Sequence, residues 1–159
     1  MALNDEQCFA GVAKTELVTS LNNTIAACHG MARAAGWWKD QDGKPRLQDI
    51  QKDIAWPLLL IISEVIEGAE GVRKDKMDDK LTHRKMLEVE LADAVIRIMD
   101  LAGGIDIDLA GAVAEKLEYN SQREDHKPEN RYAEGGKRFW YACILDCSMW
   151  NINGCLGWP

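Results

Sequence analysis

Apolar residues recur at intervals of three and four positions through much of the chain, and this spacing predicts amphipathic helices. The clearest example is residues 15–35, whose apolar positions are Leu17, Leu21, Ile25, Cys28, Met31 and Ala35. Gly36 follows directly and is expected to end this helix. No segment of useful length alternates apolar and polar residues as a β-strand would.

The second and third helices lie on either side of a charged loop, residues 73–80. The second should begin shortly before Pro57, because proline is tolerated only in the first turn of a helix or at a kink. The third is predicted over residues 81–102. The pair Gly103 and Gly104 is expected to end it, since glycine readily adopts the backbone conformation found after a helix.

A fourth helix is expected to start at a capping aspartate, either Asp106 or Asp108. Leu109, Val113 and Leu117 then fall on one face of it. Four amphipathic helices with short connections and no strand predict an all-α fold, and more specifically an antiparallel four-helix bundle-like domain.

The composition changes near residue 139. Residues 120–138 are polar and contain Pro128, so they are expected to form a loop or arm. Residues 139–159 hold three of the six Trp and three of the five Cys of the chain. We therefore predict a helical domain over residues 1–138 and an atypical Trp- and Cys-rich tail over residues 139–159, with no part of the functional site in the tail.

The chain carries 26 acidic and 19 basic residues, a formal net charge of −7. A surface that binds nucleic acid must neutralise phosphates with Lys and Arg, so this balance argues against a nucleic-acid polymer as a partner. The N-terminal residues lack the basic and apolar regions of a secretion signal, and no apolar run is long enough to span a membrane. We expect a cytoplasmic protein with reduced cysteines and no membrane contact.

Two pairs of acidic residues stand at helical spacing on the apolar faces of the second and third helices. Glu64 and Glu67 form the first pair, and Glu90 and Asp93 form the second. Buried carboxylates that face each other are costly unless their charge is neutralised. Because no Cys or His is interleaved, the expected neutraliser is a hard cation, Mg2+ or Mn2+. The simpler alternative is that these acids lie on the solvated surface.

The same residues carry a resemblance to a known family. Segments 63–67 (Ser-Glu-Val-Ile-Glu) and 90–93 (Glu-Leu-Ala-Asp) resemble the signature of the MazG-like, all-α nucleoside triphosphate pyrophosphohydrolases. That signature reads Glu-Glu-x-x-Glu, a loop, then Glu-x-x-Asp. The likeness is to the small phage and bacterial members, extends over residues 17–139 and leaves out the tail. One position departs from it, because Ser63 stands where the family has its first Glu.

The resemblance implies hydrolysis of a nucleoside triphosphate between the α and β phosphates, which yields the monophosphate and pyrophosphate. It implies a Mg2+ cofactor, with Mn2+ able to substitute, and its metal ligands would be Glu64, Glu67, Glu90 and Asp93. Glu67 would be the catalytic residue that orients or deprotonates the attacking water. The family also builds its sites near subunit interfaces, so a homodimer or homotetramer is expected. Apolar surface that one small bundle would leave uncovered points the same way.

Two further groups of residues are expected at the nucleotide substrate. The phosphate-binding group, which the resemblance suggests from one helical stripe, is Lys116, Asn120 and Arg123. The group expected at the base or sugar is His29, Arg33, Trp37 and Trp38, since aromatic rings stack on bases. Each group also has a simpler interpretation: the stripe as solvated surface, one Trp as a cap on the core, and His29 as ordinary surface.

Two nearby residues complete the expectations. Trp56 is predicted in the core, and Asp100 is predicted either to pair with Arg97 or to form an exposed ion pair. A function of a different class also stays open, namely a non-catalytic helical module whose acidic cluster binds a structural cation or a partner. Release of pyrophosphate from nucleotides in the presence of Mg2+ would separate the two.

Overall fold

The computed structural model describes residues 14–47 and 49–136, and over these residues the fold is all-α, as predicted. No strand forms within the described ranges, where two isolated bridges join Lys39 to Pro45 and Met77 to Lys85. Within the same ranges, a 3₁₀ turn at Glu124–His126 precedes the helix Pro128–Tyr132. The helices are α1 (Lys14–Ala34), α2 (Ile50–Asp53), α3 (Ala55–Arg73), α4 (Met86–Gly104), α5 (Leu109–Ser121) and α6 (Pro128–Tyr132).

The chain divides into two compact units, Met1–Ala114 and Glu115–Pro159. The tail predicted over residues 139–159 lies outside the described residues. Of the helices in the described part of the chain, none combines the length and the apolar character needed to cross a bilayer.

Three local expectations agree with the structure. Helix α1 matches the helix predicted over residues 15–35 within one residue at each end. Pro57 is the third residue of α3, in the first turn, where its missing N–H costs no hydrogen bond. Asp108 is the aspartate that caps α5, because its Oδ1 accepts the backbone N–H of Gly111 at 2.8 Å.

Helix α4 begins five residues later than predicted, at Met86. The reason is Asp78, a buried residue whose Oδ1 accepts the backbone N–H groups of Lys80, at 3.0 Å, and of Leu81. The hydrogen bond from Leu81 is also the main cause that lowers the pKa of Asp78. These bonds hold the segment in a turn, which competes with the helical pattern that the apolar spacing alone suggested.

In the first unit, α4 is the shared element, since it contacts both α1 and α3. The close approach of α3 depends on Gly68 and Gly71. A Cβ atom at Gly68 would lie 3.4 Å from the Cβ of Glu90, and one at Gly71 would lie 2.9 Å from the Cβ of Met86. The glycines therefore let the backbone of α3 come near enough to α4 for their acidic side chains to meet.

The prediction that the pair Gly103 and Gly104 ends α4 is confirmed, because Gly104 is the last residue of the helix and Ile105 is its C-cap. They are needed for contact with α1 and the residues that follow it. A Cβ atom at Gly103 would lie 2.7 Å from the Cβ of His29, and one at Gly104 would lie 1.7 Å from Cη2 of Trp38. Besides ending the helix, the two glycines therefore leave room for the side chains of His29 and Trp38 to pack against α4.

Replacing Gly104 by Ala is expected to lower the free energy of unfolding by about 1–3 kcal/mol, the usual cost of overpacking. The added methyl group would displace the Trp38 ring, which urea or thermal unfolding would detect. Gly30→Ala is the matched control, because Gly30 lies within α1 and its Cβ would meet no atom within 4 Å. It should leave stability unchanged or raise it, and equal destabilisation by both variants would contradict the packing argument.

The interior of the described chain is small. Its buried apolar residues are Leu101 and four alanines, and none of the described large side chains is completely buried. Many branched side chains of α3 and α4 are instead exposed, with Ile66 at 62% and Val95 at 47%. The described helices alone therefore leave much of their apolar surface uncovered.

Candidate metal centre and the adjoining cavity

Helices α3 and α4 bring three of the predicted metal ligands together. One carboxylate oxygen from each of Glu64, Glu90 and Asp93 lies within 4.8 Å of the others. Glu64 and Glu90 are buried, and Asp93 is the more accessible member. Glu67 is exposed and outside this triad, yet its charge acts on Glu90. We call these four residues the acidic cluster.

The negative charges of the acidic cluster repel each other, and the pKa of Glu90 shows this repulsion. Burial, a hydrogen bond with Glu64 and the charges of Glu67, Glu64 and Asp93 together raise the pKa of Glu90 to about 7. Near neutral pH this carboxyl group is therefore protonated in a large fraction of molecules. A protonated Glu90 can donate a hydrogen bond to Glu64, which relieves the repulsion between the two buried groups.

Arg97 supplies a second source of compensation. Its Nε donates a hydrogen bond to Oε1 of Glu64 at 2.6 Å, and the Glu64 side chain is only 9% exposed against 43% for Arg97. The expectation that Arg97 pairs with Asp100 is thus wrong, because the guanidinium turns toward the larger negative charge of the acidic cluster. A proton and one guanidinium share the neutralisation of the acidic cluster in the protein itself.

The donor set fits a hard divalent cation. All its members are carboxylate oxygens, which Mg2+ and Mn2+ prefer, and the raised pKa of Glu90 marks a position where added positive charge would be favourable. Glu64, Glu90 and Asp93 would hold such an ion, with Glu67 close enough for its charge to contribute.

The stability of the metal-free protein is expected to fall as the pH rises from about 4.5 to 7. In this range the folded protein holds the Glu90 proton, with a pKa of about 7 against an ordinary 4.5, while the unfolded chain releases it. Mg2+ should reverse the loss by about 1–3 kcal/mol when it exceeds its Kd ten- to hundredfold.

Because protons compete with metal for Glu90, the stabilisation by Mg2+ should be larger at pH 8 than at pH 5.5. Melting temperatures measured across this range, with EDTA and with Mg2+, check both effects. Equal stabilisation at the two pH values would contradict a metal site that includes Glu90.

A cavity of about 910 Å3 adjoins the acidic cluster within the first unit. Residues from α1, α2, α3, α4 and the segment after α1 line it. The lining includes three tryptophans, two aspartates and an arginine: Trp37, Trp38, Trp56, Asp93, Asp100 and Arg97. It therefore extends from one carboxylate of the acidic cluster to a group of tryptophans.

Two of these tryptophans offer their rings to solvent. Trp37 is 69% exposed, and Trp56 is 68% exposed. The prediction that Trp56 packs in the core is therefore wrong: it precedes Pro57 in the first turn of α3 and faces the cavity. It is a candidate functional residue that the sequence analysis missed, and its place beside a proline at a helix start was the available signal.

Trp38 and His29 are held by Asp100. Trp38 Nε1 donates to Asp100 Oδ1 at 2.8 Å, and His29 Nδ1 lies 2.9 Å from the same oxygen. The two rings also meet edge to face, with centroids 5.0 Å apart. Trp38 lines the large cavity, but His29 is not among its lining residues. Arg33 lines a separate, smaller cavity together with Trp38.

Ser63, the position that departs from the family signature, makes a local hydrogen bond. Its Oγ donates to the backbone carbonyl of Leu60 at 2.8 Å. The hydroxyl group is thus hydrogen-bonded within α3. A serine side chain is neutral, so Ser63 adds no charge to the acidic cluster.

The predicted phosphate-binding residues belong to the second unit. Lys116 Nζ lies 4.7 Å from the centroid of the Tyr119 ring, and the guanidinium of Arg123 makes two hydrogen bonds to Asp125, at 2.9 and 2.6 Å. The Oδ1 atom of Asn120 is buried without a hydrogen-bond partner among the described residues. Phosphate binding by Arg123 would therefore require exchange of an existing ion pair.

No protein-family model, curated protein or solved structure matches this chain. The assignment to the MazG-like family consequently stays an expectation from the quoted residues.

Proposed function

We propose that this protein is a Mg2+-dependent nucleoside triphosphate pyrophosphohydrolase that releases a nucleoside monophosphate and pyrophosphate. One observation carries the proposal: three carboxylates from two helices converge beside a large cavity whose other lining includes exposed tryptophans. Carboxylates suit the metal that a polyphosphate brings, and tryptophan rings suit a base.

The acidic cluster would hold the metal and position the water. Glu64, Glu90 and Asp93 would supply the ligands, and the bound ion would polarise the phosphoryl oxygens and lower the pKa of a water molecule. Glu67, the exposed member, would orient or deprotonate that water as the catalytic residue.

The remaining polar groups would bind the substrate. Arg97 lines the cavity, and its side chain is 43% exposed. When a metal ion binds the Glu64 carboxylate, the Arg97 guanidinium would be released from Glu64 and would bind a phosphate oxygen of the substrate. Lys116, Asn120 and Arg123 are proposed as further phosphate ligands on the family resemblance. Trp37, Trp38 and Trp56 would surround the base.

The finer architecture is also part of the proposal. We expect the four longer helices to form a four-helix, MazG-like protomer, and two or four copies to assemble into a homodimer or homotetramer. The exposed branched side chains of α3 and α4 support assembly, because burying them would remove apolar surface from water.

A non-catalytic module remains the second candidate. Two observations favour it: Ser63 adds no carboxylate, and the bond from Arg97 to Glu64 together with the Glu90 proton can neutralise the acidic cluster without an ion. Such a module would bind Mg2+ or a partner and leave nucleotides intact.

The deciding experiment is a panel of ribo- and deoxyribonucleoside tri- and diphosphates incubated with Mg2+, with an EDTA control. We expect pyrophosphate and the monophosphate from triphosphates. Reaction in 18O-labelled water locates the attack, since label in the monophosphate means that water attacks the α phosphorus, whereas label in the pyrophosphate means attack at the β phosphorus. Release of orthophosphate without pyrophosphate from the triphosphates, or no product from any nucleotide, would overturn the proposal.

A further inference from the structure

Asp100 uses only one of its two carboxylate oxygens in the structure. Oδ1 accepts the indole N–H of Trp38 and also contacts Nδ1 of His29. No donor from the described residues reaches Oδ2, although the side chain is only 23% exposed. Asp100 lines the cavity, and its Oδ2 atom can still accept a hydrogen bond.

The position of Asp100 suits the base end of a nucleotide. It follows Asp93 by seven residues on α4, which is two helical turns, or about 10 Å along the axis, on nearly the same face. Both residues line the same cavity. This separation is comparable to that between the α phosphate and the far edge of the base in a nucleotide. A sugar hydroxyl lies much nearer the phosphate.

We infer that Asp100 selects the base, by accepting a hydrogen bond from an exocyclic amino group of cytosine, adenine or guanine. The inference rests on the proposed function. Uracil and thymine present a carbonyl oxygen where cytosine has its amino group. The Asp100 carboxylate and this carbonyl oxygen are both hydrogen-bond acceptors, so they would repel each other. The tryptophans supply stacking, which every base can use, and Asp100 supplies the discrimination.

The Asp100→Asn variant provides a directional test because Trp38 fixes how the amide must lie. The indole N–H can only donate, so the amide oxygen has to stay on that side. The amide NH2 then replaces Oδ2 and offers donors in place of an acceptor. This change should favour uracil and thymine, whose carbonyl oxygens can accept.

The experiment compares kcat/KM for deoxycytidine and deoxyuridine triphosphates with the full-length wild-type protein and with Asp100→Asn, in Mg2+. We expect the wild type to prefer the cytosine nucleotide by about 10- to 100-fold and the variant to reverse that preference. Asp106→Asn is the matched control: it makes the same chemical change at an exposed residue whose positive φ of 55° asparagine tolerates. Its base preference should equal that of the wild type.

Calorimetric binding of cytidine and uridine monophosphates with Mg2+ gives a second readout that does not need turnover. If Asp100→Asn weakens the binding of both monophosphates equally, Asp100 only holds Trp38 and His29 in place, and the inference is overturned. Equal use of both bases by the wild type would overturn it as well, while pyrophosphate release would still support the proposed function. If no nucleotide is hydrolysed but the binding preference reverses, the proposed function fails and base selection by Asp100 stands. Binding of neither monophosphate would overturn the inference.

Discussion

A Glu90→Gln variant is expected to lose Mg2+-dependent pyrophosphate release by about 100- to 1,000-fold, the usual effect of removing one preorganised electrostatic group. The same variant should unfold at a higher temperature than the wild type in EDTA at pH 8. Gln has nearly the same shape but needs no proton to remain neutral beside Glu64 and Asp93, whereas the pKa of Glu90 is raised to about 7 by burial and by its acidic neighbours. Lost activity with gained metal-free stability distinguishes a functional acidic cluster from a merely structural one.

Steady-state kinetics and thermal unfolding in EDTA check these two effects. Glu88→Gln is the matched control, because Glu88 lies on the same helix, is exposed and forms only a 3.6 Å ion pair with Arg84. It should change neither property appreciably. Near-normal turnover in Glu90→Gln would contradict the metal assignment, and a lower melting temperature in EDTA would contradict the electrostatic account. Each kcal/mol of stabilisation should appear as a rise of about 2–4 °C in a chain of this size.

Light scattering is expected to give a mass two or four times the 17.8 kDa of one chain. The Ile66→Glu variant should shift this mass to that of a monomer, because Ile66 is 62% exposed on α3 and a charge there would have to be buried in any contact that covers this face. The loss should be nearly complete at micromolar concentration, since one unpaired buried charge costs several kcal/mol of association.

Ile107→Glu is the control for this experiment. Ile107 is similarly exposed, at 52%, but lies in the connection between α4 and α5. Its mass should match the wild type, which shows that added charge alone does not dissociate the protein. A wild-type mass of one chain at micromolar concentration would contradict the assembly proposed above.

Much of the helical framework was predictable because its causes are local. The apolar spacing of residues 15–35 and the position of Pro57 located α1 and α3, and a side-chain cap located the start of α5. The start of α4 was not predictable from periodicity, because Asp78 captures the backbone N–H groups of the segment before it. Such a competing turn is visible only once the side chain is known to be buried.

Helical periodicity in the sequence was enough to predict an all-α fold and to place two acidic pairs, each spaced by three residues, on consecutive helices. Which side chains contact each other became known only from the packing of the helices, because contacts between distant residues depend on how closely helices approach. In the folded protein Glu64 lies next to both Glu90 and Arg97, and Trp56 lines a cavity. The side chains of His29 and Trp38 pack against Gly103 and Gly104. Periodicity states which face of a helix is apolar, and packing alone determines what that face contacts.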